Sequence, residues 1–253
     1  MNKPLPPEAG HDALRAYLKE RSPLGPLKAL AKYMGYFFQI PMPFFRPFIV
    51  FGSEANRKVL VTERDKVLWR NTDPVTDLLH HGVLVVDGKE HDHYRGLMEP
   101  ALHPSTLPGY TPLILAHTKK VSSQWKDGEV VDMLVESRKI ALLIIMDTLF
   151  SKDVWDDIPY IWKPILKAIE YISPGVWILW RKMPRFGFRK PLRELDNYLY
   201  KIISDRRRKT ADRANNNGQP SAVSRHALLQ HLVNAGLTDQ LIRDQMLTMM
   251  IAG

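Results

Sequence analysis

His91 and Arg95 lie four residues apart within Gly82–Leu107, GVLVVDGKEHDHYRGLMEPALHPSTL. On a helix that spacing sets both side chains on one face. An imidazole can hydrogen-bond, and a guanidinium is a permanent cation with a planar fork of donors. Together they suit a bound carboxylate; taken alone, the pair reads more readily as a solvated helix face. Four histidines, His80, His81, His91 and His93, fall within fourteen positions and raise the question of a metal site. Their spacing argues against one, because His91 and His93 are two apart and point to different helix faces, unlike the i, i+4 pair of a helical zinc site. Cysteine is absent from all 253 residues, which excludes disulfides, Cys-ligated zinc, iron–sulfur clusters and thiol nucleophiles. Neither a Gly-x-Ser-x-Gly elbow nor a His-Glu-x-x-His motif is present, so hydrolase chemistry has no anchor.

The composition is that of a globular protein, 45% hydrophobic and 25% charged, with six Trp, nine Tyr and nine Phe to build a core or pocket walls. A net charge of +9 favours acidic partners: an electron-transfer protein, anionic lipid or nucleic acid. No zinc-finger, RNA-recognition or helix-turn-helix signature accompanies the charge, and no nucleic acid is expected. The most apolar early segment, Leu27–Phe45, contains Lys28, Lys32, Gln39 and two prolines, and does not read as a transmembrane helix. A cytoplasmic protein, at most peripheral to a membrane, is expected.

The elements that must position the His/Arg pair are mostly helical. Met1–Gly10 is Pro-rich and predicted extended. Helices are predicted over His11–Glu20 and Pro26–Gly35, and strands over Tyr36–Ile40 and Phe44–Phe51 around a Pro41-Met42-Pro43 break. Ser53 is the expected N-cap of a helix to about Thr62. Arg64–His81 reads as a loop with a short helix. The apolar run Val83–Val86 turns at Asp87-Gly88, and a polar helix starts near Lys89 and is interrupted around Pro100 and Pro104. Thr111–Trp125 is a helix with Leu113, Ala116, Val121 and Trp125 as core positions. Val131–Ser151 follows as a buried helix, then Asp156–Ile172 as an amphipathic one. Val176–Leu192 interleaves Trp177, Trp180, Phe186 and Phe188 with Arg181, Lys182, Arg185, Arg189 and Lys190. That pattern fits a membrane interface or acidic partner, and equally a packed connection with snorkelling cations. Arg193–Lys209 is a long helix whose terminal cations read as a solvated face, and Thr210–Ser224 is a polar loop. His226–Ala235 is a short helix stopped by Gly236. Thr238 caps a last helix that runs through Met246, Leu247, Met249, Met250 and Ile251 to Ala252-Gly253.

The turn, the His-x-x-x-Arg helix with its Pro-Ala, the buried helix ending Phe150-Ser151 and the final helix ending Ala252-Gly253 occur in an order that resembles the cytochrome P-450 family, the haem-thiolate monooxygenases. The resemblance covers essentially the whole chain but only the first half or so of a complete member. It implies a mainly α fold with a small β-sheet (α+β), here one partial domain over residues 1–253 that stops within the helix crossing the haem. The Pro-rich start implies a chain without the membrane anchor some members carry. By resemblance His91 and Arg95 hold the haem propionates, Ala252 and Gly253 lie above the iron, and Met249 faces a small apolar substrate. A redox partner, ferredoxin or flavoprotein reductase, is implied near the basic face, and Val176–Leu192 corresponds to a lid that touches membrane through Trp177, Trp180, Arg181 and Lys182. The family's acid–Thr pair, Glu-x-x-Arg helix and Cys loop are not in these residues. Without the thiolate, which sets the electronics of O–O cleavage, this chain is expected to be inactive by itself and haem binding is in doubt. A non-catalytic helical protein engaging a membrane or acidic partner through its basic, aromatic segment is the alternative.

Overall fold

The structure, a computed structural model, describes residues 7–22, 24–35, 37–39, 48–67, 74–173, 184–215 and 227–252. The chain divides into two compact units, residues 1–68 with 175–183, and residues 69–174 with 184–253.

In the first unit α1 (Pro7–Glu20) and α2 (Leu24–Met34) pack as a helical pair. The Pro-rich start was predicted extended, yet residues 7–10 already form the first turn of α1. A proline at the first helical position lacks only an N–H that the helix leaves unpaired anyway, so it begins a helix as readily as it prevents one. Gly25 lets the two helices meet closely: a Cβ there would stand 2.9 Å from the Ala16 carbonyl oxygen. The Tyr33 hydroxyl donates to Asp12 at 2.5 Å across the pair. β1 (Phe37–Gln39) and β2 (Phe48–Val50) form an antiparallel ladder with Phe38 opposite Ile49. Phe37 and Phe48 stack at 5.4 Å, and Phe38 is buried. The described strands fall within the predicted runs, and Tyr36 and residues 40–47, with the Pro41-Met42-Pro43 break, lie outside the described residues. α3 (Ser53–Arg57) widens into a π-type turn over Lys58–Thr62. Its N-cap is Gly52, at φ 88, and not Ser53. A left-handed φ suits glycine there and shifts Ser53 into the first turn.

The second unit holds eight helices among the described residues: α4 (Pro74–Leu79), α5 (Gly88–Leu102), α6 (Leu107–Ser122), α7 (Met133–Phe150), α8 (Ile158–Ile172), α9 (Arg189–Asn215), α10 (Leu228–Asn234) and α11 (Asp239–Ala252). A single apolar cluster joins them. Leu143, Met146 and Phe150 of α7, Leu199 and Ile203 of α9, Leu228 and Leu232 of α10 and Ile242 and Met246 of α11 are fully buried in it. α7 is defined at both ends: Asp132 accepts from the Leu134 and Val135 amides, and Ser151 takes a left-handed φ of 48.

Several sequence expectations are corrected. α5 runs through Pro100 and ends only at Leu102. On α6 the buried positions are Tyr110, His117 and Val121, whereas Ala116 and Trp125 are exposed. His117 is buried with its Nε2 paired to Asp147 of α7 at 2.8 Å, which allows a polar residue on the inward face of α6. α9 is longer than predicted at both ends and spans about 40 Å at 1.5 Å per residue. Its cations are not all solvated: Arg206 is buried and donates to the Phe150 carbonyl at 2.8 Å, capping the end of α7. Arg207 reaches Asp239 at 2.6 Å.

Candidate functional site

α11 is buried on every side from Ile242 to Thr248, including the polar run Arg243-Asp244-Gln245. Buried polar groups need partners. Theirs are in the segment that leads into α5. Arg243 donates to the Leu78 carbonyl at 2.7 Å and to Asp244 Oδ1 at 2.9 Å, and its Nε pairs with Asp196 of α9 at 2.7 Å. Asp244 accepts from the His81 amide at 3.3 Å and faces His80 Nδ1 at 3.3 Å. Gln245 takes both sides of the same backbone, accepting from the Val83 amide and donating to the His81 carbonyl, each at 2.8 Å. Thr248 donates to the Asp244 carbonyl at 2.7 Å and packs on Gly82. His80 is held at φ 45, a left-handed position that a bulky residue rarely adopts without such support.

The two stretches the sequence singles out are therefore bolted together, Gly82 and its neighbours onto α11. From this fixed point Gly88, at φ 59, turns the chain into α5. Tyr94, Met98 and Ala101 face inward, and α10 packs against the helix. The Tyr94 hydroxyl donates to Glu90 at 3.3 Å; burial first, and then the Glu90 charge, pushes its pKa above the ordinary tyrosine value. His91 is half-buried one turn before Arg95, with Nδ1 3.1 Å from the Asp92 carboxylate. Arg95 is exposed, and among the described residues no carboxylate pairs with it. A positioned, unpaired guanidinium beside an imidazole can accept an anion from solvent or from a cofactor.

The other sequence candidates are placed as follows. Met249 is partly buried against the core, and Ala252 is exposed at the end of α11. Gly253 lies outside the described residues, as do Trp177, Trp180, Arg181 and Lys182. In the described part of that basic segment, Arg185 stacks over Tyr171 at 4.4 Å and donates to its carbonyl, while Phe188 meets Tyr171 edge-on at 5.4 Å. Among the described aromatics of that segment, Phe186 projects into solvent, at 88% exposure. The four clustered histidines separate into different duties: His80 on Asp244, His81 on Glu90 at 2.9 Å, His91 beside Asp92, and His93 against the Tyr94 ring. Among the described residues no group of three or more His, Asp or Glu side chains is placed to hold a metal ion, and no helix is long and apolar enough to cross a membrane. Sequence reasoning passed over Arg243, Asp244, Gln245 and Thr248. Their signal was a polar run that breaks into an otherwise apolar helix.

Comparison with known proteins gives this arrangement a family. The family model described as cytochrome P450 matches residues 16–253. The chain is 24% identical over 215 residues to cyclooctat-9-en-7-ol 5-monooxygenase of Streptomyces melanosporofaciens, covering 82% of this chain and 46% of that protein. It is 26% identical over 215 residues to pentalenene oxygenase of Streptomyces avermitilis, covering 79% and 45%. Among solved structures, a retinoic acid-bound cyanobacterial CYP120A1 superimposes with a TM-score of 0.69 at 18% identity, over 89% of this chain and 50% of that one. The chain thus spans about half the length of the relatives it matches, and its mainly helical fold is that of the solved structure over the shared half. On this match over nearly its whole length, the chain belongs to the cytochrome P450 family.

Proposed function

We propose that residues 1–253 form one partial domain of a haem-dependent monooxygenase, and that His91 and Arg95 receive the haem propionates. The observation that carries this reading is the unpaired Arg95 guanidinium, on a helix whose lead-in is fixed to α11 by Asp244, Gln245 and Thr248. The chain's residues fit haem at that anionic edge. They do not fit it at the axial position, because no residue of the 253 is a cysteine. When bound in this family, haem supplies the oxygen-activating iron; what these residues supply is the anion clamp and the helix beside it. In this reading Ala252 and Gly253 would lie above the iron and Met249 would face the substrate. A small apolar molecule is the expected substrate class, in keeping with the cyclooctat-9-en-7-ol and the pentalenene in the names of the two Streptomyces relatives. A ferredoxin or flavoprotein reductase is the partner expected on the basic face.

Haem titration of the purified chain tests the clamp. Arg95→Ala should weaken haem binding about tenfold or more, the loss of one charge-assisted contact, and His91→Ala by less. Equal haem affinity in wild type and Arg95→Ala sinks the reading. The 253-residue chain with haem, reductant and carbon monoxide should not give the thiolate-type absorption band, and observing that band refutes the expectation of inactivity.

A further inference from the structure

His81 is held by its amide, its carbonyl and its ring at once. The amide donates to the Asp244 carboxylate at 3.3 Å, and the carbonyl accepts from the Gln245 side-chain amide at 2.8 Å, both on α11. The ring Nδ1 lies 2.9 Å from Glu90 Oε1, in the first turn of α5. An ionised carboxylate only accepts, so the imidazole donates there through Nδ1. The same Glu90 oxygen accepts from the hydroxyl of the buried Tyr94 at 3.3 Å.

An ordinary exposed pair loses most of its gain in ordering two mobile side chains. Here both ends are ordered from below. The backbone beneath His81 is fixed by Asp244 and by Gln245, which also accepts from the Val83 amide at 2.8 Å. Glu90 is fixed by Tyr94, whose ring is in the core. The tie also lies where α5 needs one. Its first buried residue is Tyr94, so residues 88–93, His91 among them, have no buried side chain to fix their phase. One residue of helix rotation is about 100°, enough to carry Glu90 out of reach of His81. The two residues of α5 that make the tie, Glu90 and Tyr94, immediately precede His91 and Arg95.

We propose that His81 is a positioning residue for the clamp: through Glu90 its ring carries the place of α11 to the opening of α5, and so sets where His91 and Arg95 meet an anion. The proposal rests on the reading of His91 and Arg95 as the haem-propionate clamp. It gives one of the four clustered histidines a duty other than metal ligation or solvation. His81 acts on the cofactor only through Glu90, and its own contribution is orientation of the helix. Its backbone bonds hold the lead-in whatever the side chain, so the side chain can be changed while the bolt to α11 stays in place.

Haem titration of the 253-residue chain, read by absorbance and by circular dichroism in the Soret region, tests it in wild type, His81→Ala, His81→Asn and Arg95→Ala. His81→Ala removes an exposed ring and should leave the thermal unfolding midpoint unchanged. It should weaken haem about two- to fivefold, less than Arg95→Ala does, and alter the Soret dichroism, which reports how the haem is seated. His81→Asn sets an amide N–H close to the place of Nδ1 and should restore both the affinity and the dichroism. Asparagine does not replace imidazole as an iron ligand, so that rescue separates a strut from adventitious ligation by His81. The proposal is overturned if Arg95→Ala weakens haem and His81→Ala does not. It is overturned equally if His81→Asn loses as much as His81→Ala, or if the loss comes with a lowered midpoint. Wild type that binds no haem, or binds it no better than Arg95→Ala, removes the clamp reading and this proposal with it.

Discussion

Gly82 lies so close to Thr248 that a Cβ on the glycine would stand 2.0 Å from the threonine hydroxyl oxygen. The Asp244 and Leu79 carbonyl oxygens, both backbone, are each 3.1 Å from the same point. No left-handed φ is involved at Gly82; the requirement is space. Gly82→Ala should therefore cost about 1–3 kcal/mol, the usual range for overpacking a tight contact. Thr248→Ala removes the nearest obstacle but leaves the two carbonyls, so in that background the Gly82→Ala penalty should shrink without vanishing. Urea denaturation of the four proteins of the cycle measures this coupling, and additive effects would show that the two residues do not meet.

Asp244 is fully buried and serves Arg243, the His81 amide and His80 together. Removing one partner of a buried ion pair strands the other charge. Asp244→Ala should destabilise by about 3 kcal/mol, the lower end of the usual range, because Asp196 still holds the far side of Arg243. Asp244→Asn retains an acceptor for the His81 amide and should cost less. Limited proteolysis provides a second readout: cleavage around residues 80–87 should rise in Asp244→Ala before the rest of the chain becomes susceptible.

The fold class, the helix order and the capped final helix were all legible in the sequence, because long apolar periodicities and residues such as Thr238 and Gly236 act locally. What was not legible depends on partners distant in the chain. His117 reads as a polar residue on an apolar helix until Asp147, thirty positions later, is set beside it. Arg206 reads as one of a solvated cluster until the Phe150 carbonyl, an unpaired acceptor at a helix end, is placed within its reach. At the site itself, the four-residue spacing of His91 and Arg95 was readable in the sequence. The lattice that fixes their helix was not, since Arg243-Asp244-Gln245 gain meaning only from the backbone of residues 78–83.

The His117–Asp147 pair makes a prediction of its own. His117 Nδ1 is buried without a hydrogen-bond partner, so Asp147 is the group that compensates the ring. Asp147→Leu alone should cost about 1–3 kcal/mol by leaving the imidazole wholly unsatisfied. Replacing both residues by leucine removes the polar groups together, and the double variant should lie closer to wild type than Asp147→Leu does. A double variant less stable than the sum of the single losses would refute a compensating role.

Tyr198 gives the pH dependence. Its hydroxyl donates to Asp157 at 2.7 Å, joining α9 to the start of α8, and burial followed by that hydrogen bond and the Asp157 charge drives its pKa far above the ordinary value. A pKa raised in the folded state means that the folded chain holds the proton more tightly than the unfolded one. The resulting stability is fully present below about pH 10, the unfolded tyrosine value, and is lost as pH rises past it while the unfolded state ionises. Tyr198→Phe should be about 1 kcal/mol less stable than wild type at neutral pH, through the missing hydrogen bond. Above about pH 10 the wild type should lose stability faster, because the phenylalanine variant has no proton to release in its unfolded state. The gap between the two chains should therefore narrow and then close with rising pH. Tyr94 and Tyr110, whose pKa values burial also raises, remain in both proteins and cancel in the comparison. Chemical denaturation of both chains at a series of alkaline pH values measures the gap. A gap that stays constant through the tyrosine range would mean that the Tyr198 hydroxyl titrates alike in the folded and unfolded chains, and so that the contact with Asp157 does not hold its proton.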